Sequence, residues 1–400
     1  MGEERKVYYF TRHEPTPIGG GGNHRSYQIL HELRALYGED KVIYKHVPSR
    51  RSPRSQEKRG ERDGKKLREL AWRLKFLAKF FQYKGNPYKV AGYALSEEIV
   101  LPFTTLPTGS LEDLIAANGK PKLVFLDFFS LGNLIQKSRE YGAPVIICPQ
   151  NLESFDSNLS PHQDQWKSYQ LIADFVNELR VLAECDLRVF ISKIETSLIS
   201  GMGLPSHYYP YLPVGEIRER LDAIRARRAK GKVEPGLFLM LGSGSHTSTA
   251  DSFRWFLEKA VEEGLPNDVR VIVAGRDVDS ALKLGVGAPN VEIRGWIAQE
   301  ELDQLLTKVC AILAPQHLGF GALTRLAEFS CAGIPVIASA HTSWALDAPP
   351  GIAFVSNNWQ EWREKLGEFR QNALVAGEHS YEQWEARQPR TLGELVAAFD

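Results

Sequence analysis

Cysteine is scarce and scattered in this chain: four in 400 residues, Cys148, Cys185, Cys310 and Cys331, mostly within apolar runs. That spacing excludes a disulfide framework and a zinc ribbon, and reads as reduced core thiols. No apolar stretch approaches the length of a membrane-spanning helix. The opening "MGEERKVYYF" is charged and passes straight into a strand pattern, so no secretory signal is expected. Lys6 stands where a myristoylation pattern needs Ser or Thr. No repeat of 20–50 residues is visible. Together these absences lead to the expectation of a cytoplasmic protein, and the length allows two full cores.

Net charge is also lacking, with 49 basic and 49 acidic residues, but the distribution is uneven. Residues 45–89 hold 15 Lys/Arg against 4 Asp/Glu, which leaves 34 against 45 elsewhere. Segment 48–66 is poor in apolar residues and reads as a mobile part of this insertion. Residues 65–84, "KKLRELAWRLKFLAKFFQYK", plot as a helix with two apolar stripes. Leu67, Leu70, Leu74, Leu77 and Phe81 form one; Trp72, Phe76, Phe80 and Tyr83 form the other, between basic rows. Such an aromatic strip suits an anionic membrane surface, as a peripheral contact on its inner face. A helix buried on both sides, its lysines snorkelling, fits equally well. No nucleic-acid recognition motif accompanies the charge, so no nucleic-acid partner is expected.

What is present is a regular alternation of strand and helix patterns, the mark of α/β architecture with parallel sheets. "KVYYFTR", "KVIYKHV", "KLVFLDFF", "PVIICPQ" and "DLRVFIS" read as strands of a first series. "LFLMLGS", "VRVIVAG", "VEIRGW", "CAILAPQ", "PVIAS" and "IAFVS" form a second, starting near Gly236. The Pro-rich "GLPSHYYPYLPVGE" and a charged helix separate them. The expected division is an amino-terminal Rossmann-like domain over 1–205, a linker and connecting helix over 206–235, and a second Rossmann-like domain over 236–370. A helical segment, 371–400, is expected to pack back on the first domain. Two such domains face each other across a cleft, the usual place for a ligand.

Four consecutive glycines in "PTPIGGGGNHRSYQIL", residues 15–30, lie between the first strand and the first helix. A dinucleotide fingerprint needs three glycines at fixed spacing directly after the strand. Counting from Gly19 puts His24 in the third position, and counting from Gly20 puts Arg25 there. Six residues also intervene after the strand, so the nicotinamide reading fails.

The most informative stretch is "APQHLGFGALTRLAEFSCAGIPVIAS", residues 314–339. It reads as strand, glycine turn, helix, Ala-Gly stop and strand. Gly319, Phe320 and Gly321 precede the helix, where bare backbone N–H groups and the helix dipole suit a phosphate. Arg325 and Glu328 share a helix face three residues apart. The arginine suits a diphosphate, and the carboxylate suits a pair of ribose hydroxyls. An ordinary salt bridge beside a turn is the plainer alternative.

This arrangement resembles the donor site of GT-B glycosyltransferases of the family 4-like group (glycosyl transferases group 1). Their pattern of Pro, Gly-x-Gly, a basic residue, Glu and "aaGxPVvas" is matched by Pro315, Gly319, Gly321, Arg325, Glu328, Gly333, Pro335 and Val336. The resemblance implies that Arg325 meets the nucleotide diphosphate and Glu328 the ribose. It implies donor contacts for Gly242, Ser243, Gly244 and Ser245, for Arg276, and for Trp296 and Ile297 near the base. In the first half, "GGGGNHRSYQIL", "CPQNLESFD" and "CDLRVFISKIETSLI" resemble the family's glycine loop, "HNvE" and "aDxvixvS" segments more loosely. Gly20, Gly21, Gly22, Asn23, His24, Arg25 and Asn151 are then candidates for an acceptor or phosphate loop, though His24 and Arg25 also fit a solvated helix start. Phe320 departs from members with a glutamate eight residues before the ribose glutamate, which leaves the sugar open.

The implied function is transfer of a sugar from a nucleotide-diphosphate sugar to a hydroxyl of a glycan, lipid-linked or small-molecule acceptor. The resemblance implies a retaining reaction with the leaving phosphate taking the acceptor proton. If the reaction inverts, His13, Asp127 and Glu153 are the candidate bases, each near a predicted strand end, with a structural or acceptor-binding role the plainer alternative for each. Neither an Asp-x-Asp nor a histidine cluster with ligand spacing is expected, and with them no metal or cofactor. Two alternatives share the fold: a catalytically silent protein that binds nucleotide sugar or glycan, and a nucleotide-sugar epimerase.

Overall fold

The computed structural model describes residues 5–47, 109–158, 165–282, 290–319, 321–371, 380–388 and 391–399. Most of the basic insertion, including 65–84, and Phe320 lie outside the described residues. The first half runs β1 (Lys6–Thr11), α1 (Gly21–Tyr37), β2 (Val42–His46), α2 (Gly109–Asn118), β3 (Pro121–Leu126), α3 (Leu134–Glu140) and β4 (Val145–Ile147). It continues through α4 (Glu153–Asn158), α5 (Gln165–Glu184), β5 (Leu187–Phe190), α6 (Lys193–Gly201) and β6 (His207–Tyr208). Its strands form one parallel sheet in the order β2-β1-β3-β4-β5-β6.

The second half begins with α7 (Gly215–Lys230), β7 (Leu237–Leu241), α8 (Thr247–Glu262), β8 (Arg270–Ala274), α9 (Val278–Leu282), β9 (Val291–Gly295) and α10 (Gln299–Lys308). Then come β10 (Ala311–Ala314), α11 (Thr324–Cys331), β11 (Val336–Ser339), β12 (Ile352–Val355), α12 (Trp359–Gln371), α13 (Ser380–Glu385) and α14 (Leu392–Val396). This sheet is also parallel, in the order β12-β11-β10-β7-β8-β9.

Strands covered on both faces by helices are apolar throughout rather than alternating. The alternation survives in where each side chain goes. Leu237 and Leu239 of β7 join the core on one face of the second sheet, and Phe238 and Met240 join the core on the other. In the first sheet Tyr8 and Phe10 take one face and Val7 and Tyr9 the other. All four cysteines are buried and free.

The connecting helix α7 is built into the second domain. Ile217, Leu221 and Ile224, at helical spacing, pack with Leu237, Ile312 and Leu326. Arg228 of α7 donates to the Val309 carbonyl at 2.6 Å. The carboxy-terminal elements bridge the halves. Arg218 grips both oxygens of Glu385 at 2.9 and 2.8 Å, while Tyr381 and Trp384 enter the second core. Leu392, Leu395 and Val396 of α14 pack against Val7, Tyr9 and Ile29 of the first domain.

In open parallel sheets, ligands bind at the carboxyl ends of strands where the strand order reverses. That point lies at β1 and β3 in the first sheet and at β7 and β10 in the second. The loops after these four strands carry the glycine run, Asp127, Gly242–Ser245 and the turn of Gly319 and Gly321.

Candidate functional site

The amino-terminal wall is organised by Asp127, just after β3, which is wholly buried. Its Oδ1 accepts the Arg12 N–H at 3.0 Å. Its Oδ2 takes hydroxyl contacts from Ser26 at 2.8 Å, Tyr9 at 3.2 Å and Thr11. Burial pushes this carboxyl up to about 6, against the pull of those hydrogen bonds. Asp127 therefore ties the ends of β1 and β3 to the first turns of α1, with no face open to a substrate.

The glycine run ends inside a helix. Gly20 caps α1, and Asn23 fixes the turn by accepting the Gly20 N–H at 3.1 Å and donating to the Glu14 carbonyl at 3.0 Å. A β-carbon on Gly22 would lie 2.5 Å from the His13 ring and 2.7 Å from Gln150 Oε1. Gln150 in turn donates to the Gly22 carbonyl at 3.0 Å and to Ser26 at 3.1 Å. Burial, then the nearby Arg12 and His46, lowers His13 to about 4, so it is neutral near pH 7. Arg25 points inward: it donates to the carbonyls of Pro210 at 3.0 Å and Tyr209 at 2.8 Å, stacked 4.5 Å above the Tyr209 ring. Glu153 opens α4, beside Asn151.

On the opposite wall, Gly242–Ser245 follows β7 and packs on the loop after β8. A β-carbon on Gly244 would meet the Asp277 carbonyl at 2.2 Å, and one on Gly242 would meet Thr249 at 2.5 Å. Ser243 and Ser245 pair through their hydroxyls at 2.7 Å. Arg276 is exposed, Trp296 is 69 % exposed, and Ile297 is partly buried against the core. Contrary to the expectation of no Asp-x-Asp, the chain holds one, Asp277–Val278–Asp279, on the loop and helix after β8. Val278 is buried and both carboxylates are exposed. Among the described residues no group of three His, Cys, Asp or Glu side chains is placed to hold a metal.

Arg325 and Glu328 stand on α11. Arg325 Nη1 donates to the carbonyl of Leu241, the last residue of β7, at 2.6 Å. Its Nε and Nη2 are shielded from solvent and have no hydrogen-bond partner. Burial draws this guanidinium down to about 10, with Glu328 opposing. Glu328 is 7 % exposed. Its Oε1 lies 2.6 Å from Nδ1 of His24, itself 5 % exposed, and accepts the Tyr211 hydroxyl at 2.9 Å. These two partners hold the carboxyl below its usual range although burial acts the other way.

The two walls touch through their glycines. A β-carbon on Gly21 would lie 2.5 Å from Thr324 Oγ1, and one on Gly321 would lie 3.2 Å from the Asn151 side chain. Gly319 has φ +98°, a left-handed backbone that favours glycine. A cavity of about 10 Å³ remains here, lined by Ile194, Gln316, Gly321, His341 and Trp344 among others. Trp344 is 59 % exposed at its rim. Gln316 Oε1 and His24 Nε2 are buried without a partner, like the two Arg325 atoms. Other buried polar atoms of the fold also lack partners, so what marks these is their grouping at the junction, where a bound molecule would supply them.

The structure thus brings Gly21, His24, Asn151, Gly321, Arg325 and Glu328 to one junction. Gly242 belongs there too, since its β-carbon would lie 3.1 Å from Arg325 Nη1. Asp127 and Arg25 face the interior instead. Sequence reasoning missed Tyr211, Gln316, His341 and Trp344. Tyr211 lies in the aromatic, Pro-rich linker, which is the one signal that pointed its way.

No protein-family model matches the chain, and no curated protein matches it in sequence. Solved structures do match in shape. Sucrose-phosphate synthase from Thermosynechococcus elongatus superposes with a TM-score of 0.56 at 13% identity, over 96% of this chain and 94% of that one. WaaG, a glycosyltransferase involved in lipopolysaccharide biosynthesis, gives 0.54 at 12%, over 98% of each chain. HepE from Anabaena, in complex with UDP, gives 0.53 at 10%, over 99% and 98%. The chain has the GT-B fold. Two Rossmann-like domains with their switch points turned toward a shared junction are the GT-B arrangement, as the sequence resemblance implied. Among the described residues no helix is long and apolar enough to cross a membrane.

Proposed function

We propose that this GT-B protein transfers a glycosyl group from a nucleoside-diphosphate sugar to a hydroxyl of a glycan, lipid-linked or small-molecule acceptor. The observation that carries the reading is Arg325: two N–H-bearing nitrogens, buried and unpartnered, beside the bare backbone of Gly242. A guanidinium with shielded, unused donors suits an anion. The N-termini of α8 and α11 lie after β7 and β10, adding partial positive charge at the same switch point. The solved GT-B structure of HepE with UDP and glucose supports a nucleotide-sugar donor.

Glycosyl transfer develops positive charge on the anomeric carbon and negative charge on the departing diphosphate. Arg325 and the glycine-turn N–H groups stabilise the leaving charge, and the junction holds the acceptor hydroxyl against the sugar. In the retaining route the C1–O bond to phosphate breaks as the bond to the acceptor oxygen forms on the same face. The acceptor proton passes to the leaving phosphate oxygen. This route asks for no protein base and no metal, because Arg325 supplies the positive charge.

Donor hydrolysis measured with UDP-, GDP- and ADP-sugars tests the reading. Turnover of one of them, reduced at least about 100-fold in Arg325→Ala, is expected. Binding without turnover, undiminished by that substitution, would overturn it in favour of a silent binding protein.

A further inference from the structure

We infer that His24 is a positioning residue: from the amino-terminal domain it braces Glu328, so that the nucleotide ribose is read only when the two domains are in contact. The inference rests on the proposed nucleotide-sugar function and adds what makes that site conditional.

Glu328 is met by three parts of the chain. Its own helix α11 belongs to the second domain, Tyr211 to the linker, and His24 to the first turn of α1 in the first domain. Both bonds go to Oε1, at 2.6 Å from His24 and 2.9 Å from Tyr211. No described residue bonds Oε2. A carboxylate oxygen accepts two hydrogen bonds with ease, so Oε1 is filled and Oε2 is the oxygen left to accept from a vicinal pair of hydroxyls.

Tyr211 alone would hold Oε1 by a single bond, about which the carboxylate could turn, and turning would spoil it as an acceptor. His24 prevents that by donating a second hydrogen bond to Oε1 from Nδ1, at an angle set by the other domain. The contact requires the domains to lie close, and the glycines allow that approach: a side chain on Gly21 would strike Thr324, one turn before Glu328 on α11. Contact between the domains and recognition of the ribose are therefore linked, and linkage is reciprocal. Bound nucleotide should favour the closed contact as the closed contact favours nucleotide.

The test uses the full chain and whichever of UDP, GDP and ADP binds most tightly by calorimetry, together with its 2′,3′-dideoxy form. Wild type should prefer the ribose form by about tenfold or more, the scale of hydrogen bonds to a charged group. Glu328→Gln should abolish most of that preference. His24→Leu should abolish it as well, while His24→Asn, whose amide nitrogen falls near Nδ1, should restore most of it. A merely structural histidine would weaken both ligands equally and leave the ratio intact, which would overturn the inference. So would tighter binding by His24→Leu, which would make the contact a barrier. If Glu328→Gln keeps the full preference, the ribose reading of Glu328 has failed. If none of the three nucleotides binds wild type, the proposed function has failed, and the inference with it.

Discussion

A β-carbon on Gly22 would meet the His13 ring and Gln150, whereas Gly20 has nothing within 4 Å of that position. The four glycines are therefore not equivalent. Gly22→Ala should cost roughly 1–3 kcal/mol by overpacking. Gly20→Ala should change stability by no more than about 0.5 kcal/mol. Urea unfolding of the two variants checks the contrast, and equal costs would refute the packing explanation. Asp127 makes a second prediction at this scale. Asp127→Ala leaves the Arg12 N–H and three buried hydroxyls without their shared acceptor, for a loss of about 2–4 kcal/mol in the same measurement. Individual roles were the least legible part of the sequence. The pairing of His24 with Glu328 joins residues 304 apart; no local periodicity can announce it. Arg25 sits next to His24 in sequence, but the turn of α1 sends its guanidinium inward to Tyr209 and Pro210.

Among the elements, α4 and α5 are joined by a buried carboxyl. Glu178 of α5 accepts the Ser154 N–H at 2.9 Å and the Ser154 hydroxyl at 2.5 Å. Burial pushes Glu178 up to about 8, and Glu153 and Asp174 add to the rise while the Ser154 bonds resist it. The folded chain thus holds this proton more tightly than the unfolded chain does. The resulting stabilisation is complete below the ordinary carboxyl range and is lost as pH rises through about 8. Stability in urea should therefore fall between pH 5 and pH 8.5 more steeply in wild type than in Glu178→Gln; parallel profiles would contradict it. Elements were far more legible than residues. The apolar runs of β7, β8 and β10 and the glycine turn before α11 are local patterns, fixed by burial on both sheet faces and by backbone freedom. The connecting helix α7 was harder to place. Its charge suggested a linker, but Ile217, Leu221 and Ile224 commit one face to the second core.

For the whole molecule, the chain's return to its first domain is a packing event with a measurable cost. Leu392 of α14 is fully buried against the first sheet's core. Leu392→Ala should destabilise the protein by about 2–5 kcal/mol, read as a lower urea midpoint. A change below 0.5 kcal/mol would mean that α14 is not docked there. The two-domain plan was legible because strand–helix alternation restarts after a Pro-rich boundary, and each series closes its own parallel sheet. How the domains touch was not legible, since Gly21 on Thr324 and Gly321 on Asn151 are contacts between loops far apart in sequence. The function proposed for the whole molecule depends on this junction receiving a nucleoside diphosphate through Arg325. Calorimetric titration of UDP, GDP and ADP, and of the corresponding nucleosides, into wild type and Arg325→Ala tests it most directly. One diphosphate should bind wild type and lose at least about tenfold in affinity in the variant, while its nucleoside binds both alike. Equal diphosphate binding by the two proteins would contradict it.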